Sequence, residues 1–283
     1  MAVPNTLTLP GSAILVTGAS TGIGAATARA LGAAGARVGL VARRKELLDE
    51  VAQQTRDAGA PDVEVWAADL TDLPLAEQIA LEAWDRFGGI DGLVNNAGAP
   101  KRKHVTRLTA DEVESIMHLN YFSPVRMTLA VLPKMRERGS GVIVNVASLA
   151  GRVAPPREAA YAGSKFALNG FTEVMAVDLF DEPIHVRLIQ PGPISTPIWG
   201  DVPGNEKPAY EGEFYPPEDC AEAIIELLTT DKFEIYVPPS LGDIAALKGQ
   251  DVEGFIAGSA AFAKDPDAVN EAYKNNPETI PGR

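Results

Sequence analysis

The stretch Ala13-Ile14-Leu15-Val16-Thr17-Gly18-Ala19-Ser20-Thr21-Gly22-Ile23-Gly24 decides how the rest of the chain is read. Ala13 to Thr17 is an apolar run of strand length, a glycine-rich turn follows at once, and a small-residue helix is predicted over Ala25 to Ala34. Short apolar runs bounded by turn residues are the pattern of buried strands. Glycine lets a backbone turn sharply and come close to a pyrophosphate, and a helix N-terminus favours the negative charge. The spacing Gly-x-x-x-Gly-x-Gly differs from the Gly-x-Gly-x-x-Gly dinucleotide fingerprint. Taken alone it fits an ordinary strand-to-helix turn as well as a phosphate cradle.

Outward from this stretch the same pattern repeats. Strands are predicted at Arg37 to Val41, Val63 to Ala67, Gly92 to Val94, Gly141 to Val146, Val186 to Ile189 and Glu234 to Val237. Helices are predicted over Lys45 to Ala58, Leu73 to Phe87, one long helix from Thr109 to Arg138, Ala159 to Phe180 and Glu218 to Leu228. Thr109 with Glu112 three residues on is a capping-box start. Apolar strands separated by helices imply right-handed crossovers and an α/β fold, a doubly wound parallel sheet of about seven strands with helices on both faces. Ligands of such a sheet sit beyond the carboxyl ends of its strands. The expected organisation is one domain over residues 1–239, with the proline- and glycine-rich stretch of about 194–216 as a substrate lid. Residues 240–283 read as a helical extension of the same domain.

Composition narrows the function classes. Of the 283 residues 46% are apolar and 22% charged, as in a soluble globular chain. The net charge of −13 argues against nucleic acid and against an anionic membrane surface, both of which call for a basic face. No apolar run approaches the roughly 20 residues of a membrane span. Met1 to Pro10 lacks the basic-then-apolar pattern of a signal peptide, so a cytoplasmic location is expected. The single cysteine, Cys220, excludes an intrachain disulfide and reads as a structural thiol at a surface helix start. His104, His118 and His185 have no metal-ligand spacing, so no metal site is expected. No Gly-x-Ser-x-Gly nucleophile elbow occurs.

Tyr161-Ala162-Gly163-Ser164-Lys165 places a phenol and an ammonium four residues apart, on one helix face. A cation there favours the phenolate, so the Tyr161 pKa is expected to fall from its usual value of about 10. The bare spacing is common on surface helices. Ser148, at the carboxyl end of the fifth predicted strand, strengthens the reading, because a hydroxyl there can steady the developing charge on a substrate oxygen.

With these residues in place the chain resembles the short-chain dehydrogenase/reductase family. The resemblance rests on the Gly18 to Gly24 loop, on Asn95-Asn96-Ala97-Gly98 after the fourth strand, on Asn120, Ser148, Tyr161 and Lys165, and on Pro191-Gly192 after the sixth strand. These motifs run in order over about Ser12 to Val237. The resemblance implies a Rossmann-like fold, a nicotinamide cofactor and a small carbonyl or alcohol substrate. It implies that Tyr161 gives or takes the hydroxyl proton, that Lys165 lowers the Tyr161 pKa and holds the nicotinamide ribose, and that Ser148 positions the carbonyl oxygen. Asn120 would help keep a proton-relaying water, although it also reads as a cap or kink inside a long helix. Cofactor contacts are implied at Gly18, Ser20, Thr21, Gly22, Ile23 and Gly24, at the adenine-side pair Asp69 and Leu70, and at Asn96, Ala97 and Gly98. Further ones are implied at Tyr161 and Lys165, and at Pro191, Gly192, Ile194 and Thr196, the last bonding the carboxamide or a phosphate.

The remaining expectations concern cofactor choice, the lid and assembly. Leu40-Val41-Ala42-Arg43-Arg44 ends the second strand without the carboxylate that would bind the ribose hydroxyls of NAD. Arg43 and Arg44 can instead meet the 2′-phosphate of NADP, so NADP(H) is expected over NAD(H); the alternative is two solvated arginines at a helix start. Ile198, Trp199, Tyr210, Phe214 and Tyr215 give the lid an apolar surface, for a fairly apolar substrate or for the loop's own packing. Lys101-Arg102-Lys103-His104 reads as a solvated basic loop. The helix from Ala159 carries apolar residues around its circumference, and in the resembling family this helix and its long predecessor form the main subunit contact. A homodimer or homotetramer is therefore expected. The readings carried alongside are a 3-oxoacyl thioester reductase and a non-catalytic NADP-sensing protein of the same fold.

Overall fold

The strands are β1 (Ala13–Thr17), β2 (Arg37–Ala42), β3 (Val63–Ala67), β4 (Gly92–Asn95), β5 (Gly141–Val146), β6 (Ile184–Pro191) and β7 (Glu234–Val237). In the computed structural model, which describes residues 6–264 apart from 209 and 211, they form one parallel sheet in the order β3-β2-β1-β4-β5-β6-β7. The helices are α1 (Gly22–Ala33), α2 (Lys45–Ala58), α3 (Leu73–Phe87), α4 (Ala110–Met117), α5 (Ser123–Arg138), α6 (Ala159–Asp178), α7 (Pro217–Thr229), α8 (Leu241–Gln250) and α9 (Val252–Lys264). The strand order reverses between β1 and β4, and the loops leaving those two strands diverge to open a crevice.

β1 shows why helices cover both faces. All five of its residues are buried, with neighbouring side chains on opposite faces. Ile14 and Val16 pack in one layer with Leu31 of α1, Leu48 of α2 and Leu227 of α7. Ala13 and Leu15 share the other layer with Ile79 of α3, Val131 of α5 and Met175 of α6. A strand buried on both faces has no reason to alternate apolar with polar, which is why these strands read as unbroken apolar runs. Cutting Leu31 or Ile79 back to alanine would cost about 2–5 kcal/mol.

Four details differ from the sequence reading. The single helix expected from Thr109 to Arg138 is α4 and α5 joined by a π turn over His118–Phe122. Pro124 explains it: an α-helix would need its N–H for the carbonyl of Asn120, and proline has none. The ladder widens there, and the Ser123 N–H reaches back five residues to the His118 carbonyl. The capping box at Thr109 and Glu112 is formed. α1 starts at Gly22, so the last glycines of the loop already belong to its first turn. Cys220 is not at the surface: it is fully buried in the first turn of α7, in the core layer that also holds Ala25, Ala28 and Leu31 of α1, and burial pushes its thiol up to about 12. Finally, β6 is longer at both ends than expected, and α6 ends at Asp178.

The extension folds into α8 and α9, neither of which has a fully buried side chain. Leu241, at the start of α8, sits over Gly192, where a side chain would collide with it. The part of the expected extension beyond residue 264 lies outside the described residues. Among the described residues no helix is long and apolar enough to cross a membrane, and no cluster of His, Cys, Asp or Glu could hold a metal ion.

Candidate active site

The crevice beside β1 and β4 is lined by Gly18, Ser20, Thr21, Arg43, Arg44, Asp69, Leu70, Ala97 and Gly98, together with Ala42, Ala68 and Leu119. Gly18 has a φ of +65°, and a Cβ on it would lie 2.8 Å from Ala97 Cα. Only glycine permits that turn and that approach. Asn96 does not line the crevice. Its Nδ2 donates to the carbonyls of Thr17 and Gly18 at 2.8 and 3.3 Å, and Thr17 Oγ1 accepts the Asn96 and Ala97 N–H groups at 2.9 and 3.0 Å. Asn96 thus holds the loop from behind. Gly22, Ile23 and Gly24 form the first turn of α1, whose N-cap Thr21 makes no side-chain capping bond, so the first-turn N–H groups remain available.

Arg44 Nη2 donates to Ser20 Oγ at 3.3 Å and to Thr21 Oγ1 at 3.1 Å. The same residue is the N-cap of α2, where a cation opposes the helix dipole until an anion offsets it. Burial works against charge on Asp69, but hydrogen bonds from Thr71 and the nearby Arg43 charge outweigh it, and its pKa is lowered. A cradle that a side chain would fill, open helix N–H groups and two cations at the crevice fit the phosphates of a dinucleotide.

The second half of the site lies where β5 and β6 end. Gly98 joins the halves: a Cβ on it would lie 3.4 Å from Asn120 Oδ1 and 3.6 Å from Lys165 Nζ. Ser148 follows β5. Its N–H bonds Gln190 Oε1 at 3.2 Å, its Oγ accepts the Ala150 N–H at 3.1 Å, and its hydroxyl reaches the Pro191 carbonyl at 3.5 Å. Lys165 Nζ is buried, donates to the Val146 carbonyl at 2.8 Å and lies 5.9 Å from the centre of the Tyr161 ring. Asn120, at the π turn, accepts the Ala99 N–H at 2.9 Å and donates to the Ala99 carbonyl and Ser164 Oγ at 3.0 Å each.

The expected fall in the Tyr161 pKa does not occur in the protein alone. Burial pushes the phenol up to about 12, more than a hydrogen bond with Ser148 and the Arg102 charge pull it down. Lys165 fails to reverse this because burial also lowers its own pKa, to about 8, and its ammonium is bonded to Val146.

The lid is rooted on the core. Ile194 is buried and bridges Tyr215, with Ser195 N–H donating to the Tyr215 carbonyl at 2.7 Å. Beyond that root, Trp199, Tyr210 and Phe214 pack edge-on against one another, so much of the lid's aromatic surface serves its own packing. The basic loop is not solvated as expected. Arg102 is only 3% exposed, and its guanidinium donates to the carbonyls of Ile198, Gly200 and Glu206 at 2.8, 3.2 and 3.2 Å. Lys101 and Lys103 both pair with Glu112. The sequence reading named Arg102 only as part of a solvated loop and did not single out Gln190, Glu158 or Ser164. Ser164 and Glu158 stand within three residues of Tyr161, and that proximity was the one available clue.

Fold and site together define a dinucleotide-binding oxidoreductase. Residues 12–207 match the family model for short chain dehydrogenase, and the chain belongs to the short-chain dehydrogenase/reductase family, whose members use NAD(H) or NADP(H). It is 35% identical over 240 residues to an uncharacterized oxidoreductase, YxnA, of Bacillus subtilis, covering 83% of this chain and 67% of that one. It is 35% identical over 190 residues to a fatty acyl-CoA reductase of Acinetobacter baylyi, covering 66% of this chain and 64% of that one. The crystal structure of a short-chain dehydrogenase from Streptomyces avermitilis matches with a TM-score of 0.75 at 31% identity, covering 91% of this chain and 99% of the other. The chain spans 59% to 67% of the length of the curated relatives it matches first.

Proposed function

We propose that this chain is an NADP(H)-dependent oxidoreductase that interconverts a ketone or aldehyde and an alcohol. The observation that carries the reading is the meeting of Ser148, Tyr161 and Lys165: Ser148 hydrogen-bonds the Tyr161 side chain, and Lys165 Nζ, 5.9 Å from the centre of the Tyr161 ring, also lies beside Gly98 of the cofactor crevice. The cofactor, when bound, supplies the hydride or accepts it. Ser148 holds the carbonyl oxygen by a hydrogen bond. Tyr161, protonated at neutral pH with a pKa of about 12, gives its proton to that oxygen as charge develops there; in reverse it takes the hydroxyl proton. Lys165 holds the nicotinamide ribose, and Asn120 steadies the loop at Ala99 and the helix at Ser164 from which these groups project.

Arg43 and Arg44 support NADP(H), as does the absence of a carboxylate between Leu40 and Arg44. The test is fluorescence titration of NADPH and NADH against the wild type and Arg43→Ala. The expected result is tighter NADPH binding that falls toward the NADH value in the variant. Equal or tighter NADH binding, unmoved by the substitution, rejects the assignment. A cofactor-sensing protein would need the cradle but not Ser148, Tyr161 and Lys165 together. The fatty acyl-CoA reductase relative is a reason to include acyl thioesters, 3-oxoacyl ones among them, in the substrate screen.

The same reading includes a symmetric dimer or tetramer built on α5 and α6. Leu129, Val174, Val177 and Phe180 stand 51%, 60%, 73% and 84% exposed around an apolar groove between the two helices, more apolar surface than a monomer usually shows in one place. A lone buried thiol and NADP(H) chemistry support a cytoplasmic location.

A further inference from the structure

A set of buried side-chain bonds behind the site meets at Gln190 and ends on Ser148. Gln190 is fully buried in β6, where an apolar side chain of the same size would satisfy packing alone. Its Oε1 accepts the Ser148 N–H at 3.2 Å, and its Nε2 donates to Asn169 Oδ1 at 3.0 Å and to Glu234 Oε1 at 2.9 Å. A peptide N–H only donates and a carboxylate only accepts, so the amide fits one way round. Asn169, buried on α6, donates in turn to the Gly151 carbonyl at 2.8 Å, and a Cβ on Gly151 would lie 2.6 Å from Asn169 Nδ2. Glu234 accepts from Arg152 Nη2 at 2.8 Å, and the Arg152 carbonyl accepts from Lys248 Nζ of α8 at 2.8 Å. The turn from Ser148 to Arg152 is thus tied at its start, near its end and at its end, and Gln190 bonds to the serine and to the holders of the other two points.

We propose that Gln190 is a positioning residue for the carbonyl–alcohol reaction, fixing the Ser148 backbone so that the serine hydroxyl is aimed at the reacting oxygen. The proposal rests on the carbonyl–alcohol reading of this site. Just before Ser148 the Ala147 N–H still donates to the Ile189 carbonyl of β6 at 3.0 Å. One residue later the chain leaves the sheet, and the Gln190 side chain takes the N–H that the strand backbone no longer meets. Ser148 Oγ is already an acceptor, from the Ala150 N–H at 3.1 Å. Its hydroxyl hydrogen is therefore what the site can offer to a substrate oxygen, with the Pro191 carbonyl at 3.5 Å a distant rival. Where that hydrogen points follows from the Ser148 backbone. A donor to a reacting oxygen has to be held within a fraction of an ångström, and a fully satisfied buried network supplies that rigidity.

The experiment uses the full chain, with thermal melts to establish folding. Steady-state rates are compared for the wild type and Gln190→Met, with benzaldehyde, decanal and acetophenone as probes, each with NADPH and with NADH. Methionine keeps the length and bulk of the side chain and loses all three bonds. A serine aimed at developing charge acts mainly in the transition state. The variant is therefore expected to lose about tenfold or more in kcat, with KM for the carbonyl probe and affinity for NADPH within about twofold. Hydrogen–deuterium exchange supplies a measure that needs no turnover. Peptides covering Ser148 should exchange roughly tenfold faster in the variant, while peptides of β1 and β2 stay as protected as before. If Gln190→Met does not fold, Glu234→Leu on the edge strand β7 takes its place, with a smaller loss of the same kind. A wild-type kcat in the variant used, a loss confined to KM, or unchanged exchange at Ser148 overturns the proposal. So does faster exchange across the whole sheet, which would make Gln190 a residue of general stability. A wild type that reduces no probe with either nicotinamide sinks the reductase reading and this proposal with it, and the wild type alone shows that before any variant is made.

Discussion

Thr196 rests its side-chain methyl on Gly22, so closely that a Cβ on Gly22 would lie 2.8 Å from it. Gly22 has a φ of +57° and opens α1, and Thr196 opens the lid, so the root of the lid bears directly on the phosphate loop. Gly22→Ala would meet both a left-handed backbone and the threonine methyl. A loss of about 1–2 kcal/mol in stability is expected, with NADPH binding weakened several-fold as Thr196 is pushed aside. Thermal melts and a fluorescence titration check both; an unchanged affinity would show that this contact does not shape the cofactor site.

Arg102 should act on the lid and not on the cofactor. Its three bonds to lid carbonyls are charge-assisted, and neither lysine nor alanine can span all three. Arg102→Ala is expected to raise KM for the carbonyl substrate about tenfold or more, with NADPH affinity little changed. Chymotrypsin cleavage after Trp199 or Phe214 should be several-fold faster. Cleavage at the wild-type rate would mean that the aromatic packing of the lid holds it shut without the arginine.

The sheet was legible because each strand announces itself locally: a residue run buried on both faces has to be apolar throughout. The glycine loop and the two arginines after β2 were legible for the same reason, since their positions follow from the strand they end. Arg102 was not, because its partners are backbone carbonyls almost a hundred residues away, and a carbonyl leaves no mark in the sequence. The Tyr161 pKa was misjudged because spacing reports the neighbouring lysine but not the burial of both groups, and burial is the larger effect. The π turn at Asn120 did leave a mark, in Pro124 four residues on. Cys220 was misplaced because an acidic helix start was taken for a solvated one, whereas only Glu218 and Asp219 of that turn are acidic and the cysteine lies in the core layer that α1 shares.

A carboxylate on the exposed face of α6 near its C-terminal end tests the proposed subunit contact. Val177 is 73% exposed and next to the groove between α5 and α6. A stable homodimer buries on the order of 800 Å² per subunit, and a helix of 20 residues offers about 30 Å of length for it. Val177→Asp is expected to convert dimers to monomers in sedimentation velocity, with the melting temperature of the isolated monomer unchanged, since the side chain is already in water there. A wild type that sediments as a monomer at every concentration would leave this face without its proposed partner.

Lys165→Met should make the protein more stable while abolishing turnover. In the folded chain burial lowers the Lys165 pKa from 10.5 to about 8. Between those values the unfolded chain binds the proton and the folded chain does not, so wild-type stability rises with pH across that window. Below pH 8 the full cost of a buried ammonium is present, on the order of 3 kcal/mol. Methionine removes that cost and also the bond to the Val146 carbonyl, worth roughly 1 kcal/mol. A net gain of about 2 kcal/mol is therefore expected in urea unfolding at pH 7, shrinking as pH rises through 8 and gone by about 10.5. The phenol of Tyr161, raised to about 12, favours folding less as pH climbs past 10, but it does so in both proteins and drops out of the difference. A gain that stays constant from pH 7 to 10.5 would mean that Lys165 has the same pKa folded and unfolded, as a well-solvated ammonium does, and that outcome would remove the electrostatic reason for calling this lysine part of the site.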